Sequence, residues 1–213
     1  MLTVYAIPIS LYCAKLRILL RHKDLKWREI DPPGGYGSGK YKKIVPSGNL
    51  PALIDDGLQI ADSEAIAEYL NEVHPEPPML PDDPGKRAKV RERSRFHDTR
   101  LEPALRAVFP QLREKTRDRT LIDAQAEAIT ARLGQLAVML ADNLVTEDAP
   151  LTLGDCGYPV TLTWIEALGP ILGMEVAVPG AVADYLAALR AHKAVADELD
   201  DYAPKLKRWL GQF

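Results

Sequence analysis

Short apolar runs and a stretch with helical periodicity open the chain. Leu2–Ala6 alternates β-forming residues, which predicts a strand, and Lys26–Asp31 predicts a second strand. Between them, Leu11–His22 carries leucines at three- and four-residue steps, and Ser10 is a natural N-cap for the helix that this spacing predicts. The pattern therefore predicts a strand, a helix and a strand in this order.

A hairpin that leads directly into a helix is the next strong pattern. Pro51–Ile54 and Leu58–Ile60 are short apolar runs around a turn at Asp55–Gly57, and Asp62 and Ser63 form the polar start of a helix. A βαβ unit followed by an antiparallel hairpin predicts a mixed sheet. The glycine-rich, basic segment between the two halves fits no phosphate-binding loop, and we predict a mobile loop there.

A cluster of prolines separates this part from the rest of the chain. Pro75–Pro84 contains five prolines, which exclude a helix interior. Strand patterns disappear downstream and long helical patterns replace them. We therefore expect an N-terminal domain over residues 1–76, a linker over 77–85 and an all-helical domain over 86–213.

The helical part begins with a basic helix and continues with an amphipathic one. The first helix is expected to be capped by Asp83 and kinked by Pro103. Its basic run, Lys86–Arg95, lacks interleaved aromatic residues, which favours a solvated face or a subunit contact over nucleic-acid binding. Thr120–Asn143, with apolar residues at helical spacing up to Leu144, predicts an amphipathic core helix.

A capping motif marks the next helix. In Thr152-Leu-Gly-Asp155, the threonine is expected to reach the Asp155 N–H and the carboxylate to reach back, so that a helix begins here. Loss of the Asp155 carboxylate is then expected to cost about 1–2 kcal/mol of stability. Two further helices, near Gly180–His192 and Ala194–Leu199, are expected before Tyr202–Pro204 and a C-terminal tail.

Composition narrows the classes of partner. The 213 residues are 46% hydrophobic, which is ample for a core, and the formal net charge of -3 provides no general attraction for nucleic acid or acidic membranes. The sequence has neither a bilayer-spanning run nor a basic leader, so we expect a cytoplasmic protein. Cys13 and Cys156 are far apart, and neither a disulfide framework nor a metal site is expected.

Two motifs carry a resemblance to a known family. Gly48-Asn-Leu-Pro-Ala-Leu53, followed by Ile60-Ala-Asp-Ser-Glu-Ala-Ile-Ala-Glu-Tyr-Leu70, resembles the glutathione-binding half of cytosolic glutathione transferases of the serine type, such as the zeta, tau and theta classes. The resemblance implies an α+β protein with a thioredoxin-like N-terminal domain, built on a mixed four-stranded sheet, and an all-α helical bundle as C-terminal domain. It also implies a homodimer with a role in detoxification.

The same stretch has the chemistry to bind a small acidic peptide. Main-chain groups of Leu50 can pair with a peptide backbone, and a helix N-terminus suits a carboxylate. In the family, Asp62 would receive the γ-glutamyl ammonium of glutathione and Ser63 its carboxylate, although aspartate is shorter than the usual glutamate. A basic group such as Lys40, Lys42 or Lys43 would meet the glycine carboxylate. The full set of expected glutathione contacts is Tyr12, Lys40, Lys43, Asn49, Leu50, Pro51, Asp62 and Ser63.

A transferase must also raise the thiolate fraction of glutathione, whose thiol has a pKa of about 8.5 when free. Ser10 stands at the head of the first helix, where its hydroxyl can donate to the sulfur. Ser10-Leu-Tyr-Cys13 resembles the active-site segment of the serine-type enzymes, in which the first serine stabilises the thiolate. Tyr12 and Tyr5 are alternative donors, and Cys13 is expected to be a buried small hydrophobic residue.

The resemblance leaves the reaction and the second substrate open. A pocket for a small electrophilic or acidic co-substrate is expected between the domains, lined by His97, Arg100, Leu101, Leu105 and Phe109. Isomerases of the maleylacetoacetate or maleylpyruvate type use glutathione as a cofactor, but their Ser-Ser-Cys start is absent here. A non-enzymatic binding or scaffold protein on the same fold is the third alternative, because a fold alone does not establish an activity.

Overall fold

The computed structural model describes residues 1–141 and 149–213, except for the side chain of Thr116. A four-stranded sheet and three helices form the N-terminal half; its elements are β1 (Leu2–Tyr5), α1 (Leu11–His22), β2 (Trp27–Ile30), α2 (Gly39–Lys42), β3 (Ala52–Asp55), β4 (Leu58–Ala61) and α3 (Ser63–Val73). In the described part of the remaining chain, all elements are helical; they are α4 (Pro84–Phe96), a π-helical turn (His97–Leu101), α5 (Glu102–Arg106), two 3₁₀ turns (Phe109–Leu112 and Glu114–Thr116), α6 (Arg119–Ala141), α7 (Tyr158–Leu172), α8 (Gly180–Ala191) and α9 (Lys193–Leu210).

The sheet has the mixed topology that the sequence predicts. Its strand order is β2-β1-β3-β4, with β1 parallel to β2 and antiparallel to β3. The β3–β4 hairpin turns through Asp56 and Gly57, both with positive φ, as a two-residue turn that matches the twist of the strands requires. The α+β class and the thioredoxin-like N-terminal fold are therefore confirmed.

Short-range sequence patterns predicted the bounds of most N-terminal strands and helices to within one residue. Ser10 caps α1 at the predicted position, Cys13 is buried, and the Leu50–Pro51 bond is cis. The predicted loop after β2 contains one short helix, α2, because the Ser38 hydroxyl accepts a hydrogen bond from the Tyr41 N–H and starts a helical turn.

Two helices of the second half differ from the prediction. The first does not continue as one kinked helix, since the π-helical turn interrupts it just before Pro103. The amphipathic helix α6 is described up to Ala141, and the predicted end at Asn143, with Leu144, lies outside the described residues. Pro204 lies inside α9 on its exposed side, where the carbonyl of exposed Asp200 can be hydrated, so the helix continues to Leu210 and the predicted stop was wrong.

The Thr152–Asp155 motif precedes a helix rather than starting one. The segment forms turns, and α7 begins only at Tyr158. The carboxylate does accept the Thr152 N–H at 2.8 Å, but the Asp155 N–H donates to the Thr152 carbonyl rather than to its hydroxyl. Gly157 precedes α7 because the His97 ring leaves no room for a Cβ there.

Asp155 is fully buried and joins three parts of the helical half. Its carboxylate accepts hydrogen bonds from Arg93 of α4 at 2.7 Å and from the Tyr185 hydroxyl of α8 at 2.6 Å. Arg93 is itself only 4% exposed, so this member of the basic run is not part of a solvated face.

In the described parts of the chain, no helix combines the length and apolar character needed to span a bilayer.

The buried pair gives a first prediction: the loss of stability on its removal is larger than that expected for a helix cap. Asp155→Ala leaves the Arg93 guanidinium buried without its counter-ion, and we expect a loss of about 3–5 kcal/mol in the free energy of unfolding. Urea denaturation monitored by circular dichroism measures it. Asp123→Ala removes an exposed partner of Arg119 and should cost less than about 1 kcal/mol. Equal effects of the two substitutions would contradict the assignment.

Candidate active site

A cavity of about 820 Å³ lies between the sheet-containing half and the helical half. Its first wall comes from the loop before α1, the segment before β3 and the start of α3. The opposite wall comes from α4, the π-helical turn, α5 and the aromatic residues that follow, with contributions from α7 and α9. The position brings together residues that are far apart in the sequence, as expected for a binding site between two packed domains.

Ser10 lines this cavity at the N-terminus of α1. Its Oγ accepts a hydrogen bond from the Cys13 N–H at 3.3 Å, and the buried Cys13 thiol lies within hydrogen-bonding reach of the same side chain. Because a serine hydroxyl can rotate, its proton can be directed to that thiol or to a ligand in the cavity. The first turn of α1 contains no acidic residue that would offset the positive end of the helix dipole.

Main-chain groups lie open beside Ser10. Asn49 and Leu50 line the cavity, and the Tyr41 hydroxyl donates to the Asn49 carbonyl at 2.9 Å. Neither the N–H nor the C=O of Leu50 has a hydrogen-bond partner among the described residues. Pro51 follows outside the lining and leads into β3. An extended peptide at this edge would find a donor and an acceptor ready.

The start of α3 forms the adjoining part of the wall. Asp62, with φ of 99°, caps the helix by accepting the N–H groups of Glu64 at 2.9 Å and Ala65 at 3.1 Å through one carboxylate oxygen. Ser63 lines the cavity, and its N–H and hydroxyl have no partner among the described residues. A carboxylate is the ligand that such a helix start prefers.

The predicted lysines lie farther out. Lys40, Lys42 and Lys43 are exposed on and after α2, and none belongs to the cavity lining. Tyr36, from the loop before α2, lines the cavity instead.

Tyr12 lines the cavity, but its hydroxyl is already engaged. It donates to Glu102 at 3.1 Å and lies 3.4 Å from the Asp98 carbonyl, both across the interface. Burial, together with the nearby negative charges of Glu102 and Asp98, raises the pKa of Tyr12 far above its ordinary value. Tyr5, the other alternative donor, is buried within β1 and is not part of the lining.

The helical wall uses residues one position away from most of those predicted. His97, Leu101 and Leu105 are at most 1% exposed and face the core. Arg100 is exposed, and none of these four lines the cavity. Asp98, Glu102 and Arg106 line it instead, together with Arg95 of α4. A shift of one residue turns a helix by about 100°, which exchanges a core face for a cavity face.

Aromatic rings close the far end of the cavity. Phe109, which the sequence placed here, stacks on Trp164 with ring centres 4.6 Å apart, and Trp209 contacts Trp164 edge-on at 5.7 Å. All three line the cavity. The two tryptophans come from α7 and α9, and no local motif marks them in the sequence.

The charges of the cavity are largely compensated. Burial alone would raise the pKa of Asp98, but a hydrogen bond from His97 and the charge of Lys15 lower it to about 2. Lys15 is 3% exposed and contacts both Asp98 at 2.9 Å and Glu64 at 2.8 Å. Arg106 pairs with Glu102.

Within the described ranges, no cluster of three histidine, cysteine or acidic residues is arranged to hold a metal ion.

Comparison with known proteins gives this geometry a family context. Residues 4–78 match the N-terminal domain of glutathione S-transferase. The chain is 35% identical over 89 residues to a probable maleylacetoacetate isomerase of Caenorhabditis elegans, with 42% of each chain aligned. It is 45% identical over 80 residues to glutathione S-transferase Z1 of Arabidopsis thaliana, with 36% of each aligned. The alignments thus span about two fifths of the length of these relatives.

The whole chain shares a fold with solved glutathione transferases. A delta-class glutathione transferase of Nilaparvata lugens superposes with a TM-score of 0.82 at 19% identity, covering 100% of this chain and 99% of the other.

The low pKa of Asp98 predicts a specific dependence of stability on pH. Because its pKa falls from 3.8 to about 2 on folding, the carboxylate stabilises the fold above pH 4 and loses that contribution as the pH falls through 2. Relative to Asp98→Asn, wild type should lose about 1 kcal/mol between pH 6 and pH 3. Urea denaturation of both proteins at the two pH values tests this. A constant difference between them would contradict the pairing of Asp98 in the fold.

Proposed function

We propose that the chain, whose residues 4–78 match the N-terminal domain of glutathione S-transferase, is a member of that superfamily that binds glutathione and activates its thiol through Ser10. The observation that carries the proposal is the Ser10 hydroxyl, which lines the cavity at the N-terminus of α1, beside the unpaired main-chain groups of Leu50.

Glutathione would be held by the elements around that hydroxyl. The backbone of Leu50 would pair with the backbone of the peptide, and the N–H and hydroxyl of Ser63 would receive the γ-glutamyl carboxylate. Asp62 uses one carboxylate oxygen for its helix cap, which leaves the other for the ammonium group. Asn49 and Tyr12 complete the wall, while Lys40 or Lys43 would have to reach inward from exposed positions to meet the glycine carboxylate.

Ser10 would act by stabilising the thiolate rather than by removing the proton. A hydrogen bond from its hydroxyl and the positive end of α1 favour the charged sulfur, so that the thiol proton passes to solvent. The thiolate then forms a carbon–sulfur bond with an electrophilic carbon, which expels a leaving group or takes up a proton after addition. Lowering the thiol pKa by two units requires about 2.7 kcal/mol of differential stabilisation.

Cys13 is not proposed as a nucleophile. It is 1% exposed, and burial raises the pKa of its thiol, both of which oppose a thiolate at neutral pH.

The co-substrate is a small electrophile or acid that fits the aromatic end of the cavity. We also propose a cytosolic homodimer, and a monomeric mass by light scattering would contradict the dimer.

A glutathione-dependent isomerase is the second candidate. The observation that favours it is the similarity to a probable maleylacetoacetate isomerase, together with Arg95 and Arg106 in the cavity wall, which suit a co-substrate with carboxylates. In this reaction the thiolate adds to a cis double bond, the carbon skeleton rotates, and the thiolate leaves. Incubation with a cis-configured maleyl keto acid, followed by chromatography, separates the candidates: an isomer without net consumption of glutathione indicates the isomerase.

The main prediction concerns the bound thiol. In an ultraviolet difference titration, we expect wild type to show glutathione thiolate about one to two pH units below the free thiol's pKa, because the serine and the helix favour it. Ser10→Ala should return the pKa to near the free value and lower kcat/KM by about 10- to 100-fold. Ser10→Thr keeps a hydroxyl and should restore part of the effect.

A matched control separates loss of the donor from loss of a helix cap. Asp83→Ala removes the N-cap of α4, whose carboxylate accepts the Lys86 N–H at 2.8 Å away from the cavity lining, and it should leave the thiolate pKa unchanged. If Ser10→Ala retains the wild-type thiolate, Ser10 is not the activating group. Binding of glutathione without any thiolate in wild type would favour a scaffold role.

A further inference from the structure

The loop that carries Ser10 is held by the C-terminal helix α9. The three residues before Ser10 present three consecutive carbonyls, and each accepts a different donor. The Ile7 carbonyl accepts the Ser10 N–H at 3.2 Å, which is a local turn. The other two accept side chains: Arg17 of α1 reaches the Pro8 carbonyl at 3.1 Å, and Tyr202 of α9 reaches the Ile9 carbonyl at 2.8 Å.

Tyr202 is the direct contact between α9 and this loop. Its side chain is fully buried, and its hydroxyl donates to the carbonyl of the residue next to Ser10. The same hydroxyl accepts the indole N–H of Trp164 at 2.6 Å. Since Trp164 lines the cavity, two hydrogen bonds connect the aromatic end of the cavity to the residue beside Ser10.

A buried ion pair fixes the same helix against α1. Glu198 lies one turn before Tyr202, and its side chain is fully buried. It accepts Arg17 Nε at 2.7 Å and Arg21 Nε at 3.0 Å. Arg17 therefore contacts both α9 and the Pro8 carbonyl, so the position of α9 and the position of the loop are set by the same guanidinium.

We propose that Tyr202 is a positioning residue for Ser10, through which α9 sets the direction of the serine hydroxyl and the packing of Trp164 influences it. The proposal rests on the function proposed for Ser10. Its physical basis is that a hydrogen bond to a sulfur loses strength when the donor is displaced or rotated. Without the Tyr202 hydroxyl, the Ile9 carbonyl loses its one long-range partner among the described residues. The peptide unit between Ile9 and Ser10 then keeps only the local bond from the Ser10 N–H to the Ile7 carbonyl, so its orientation is less restricted.

The test is Tyr202→Phe, which keeps the ring in place and removes the hydroxyl. The substitution removes both hydrogen bonds of the hydroxyl, to the Ile9 carbonyl and from the Trp164 indole. We expect the pKa of bound glutathione to rise by roughly half a unit to one unit, with kcat/KM about three- to tenfold lower, because the bond that orients the residue beside Ser10 is lost. The dissociation constant of glutathione should change less than about twofold, since Leu50 and Ser63 are untouched. Trp164→Phe removes the other hydrogen bond and should shift the thiolate pKa in the same direction.

Tyr185→Phe is the matched control, because it removes another buried tyrosine hydroxyl, which donates to Asp155 of the helical half and not to the loop. It should lower stability without moving the thiolate pKa. Amide hydrogen exchange provides a readout that does not require catalysis: the Ser10 N–H should exchange faster in Tyr202→Phe than in Tyr185→Phe.

The outcomes separate the inference from the function on which it rests. If wild type binds glutathione as the thiolate and Tyr202→Phe binds it with the same pKa, the inference is overturned and the proposed role of Ser10 is unaffected. Equal shifts in Tyr202→Phe and Tyr185→Phe also overturn it, because the effect would then follow general loss of stability. A wild-type protein without bound thiolate overturns the function, and the positioning role with it.

Discussion

The buried ammonium of Lys15 holds the two halves of the molecule in one arrangement. Lys15 extends from α1 and contacts Glu64 of the sheet-containing half and Asp98 of the helical half, each within 2.9 Å. A buried cation is stable only when such partners surround it, so a shift of one half that parted Lys15 from Asp98 without admitting water would leave buried charges unpaired. The cavity lies between these halves, and its shape depends on this contact.

The same principle recurs on the opposite side of α1. Glu198 is buried between Arg17 and Arg21, and this ion pair attaches α9 to the helix whose N-terminus bears Ser10. Helix α1 is therefore fixed by charges on two faces and by its apolar core contacts. A helix held in this way keeps its first turn in a constant place, which is what a single hydroxyl needs if it is to meet a sulfur atom.

Charge compensation also determines the electrostatic character of the cavity wall. Asp98 is paired with Lys15 and Glu102 with Arg106, so little net charge is left on the helical wall. Arg95 is 55% exposed, and its only described carboxylate contact is Asp98 at 3.9 Å. Phe109, Trp164 and Trp209 thus make the far end of the cavity aromatic, and arginine lies at its rim.

The sequence by itself determined the elements that short-range chemistry controls. Ser10 and Asp62 cap their helices because a side-chain oxygen satisfies nearby N–H groups, and Gly57 permits the tight hairpin. These signals lie within a few residues of one another, so the sheet, the first and third helices and the serine could be predicted. Leu50, which lines the cavity, belongs to the same stretch as the hairpin.

The tertiary structure decided everything that depends on distant partners. The π-helical turn set which face of the helical wall meets the cavity, so Asp98 and Glu102 took positions that had been assigned to their neighbours. Asp155 had the residue type of a cap, but Arg93 and Tyr185 made it a buried anchor. Periodicity can identify an apolar helix face, but it does not reveal which distant side chains pack against that helix, and those contacts decided the helical wall and the support of Ser10.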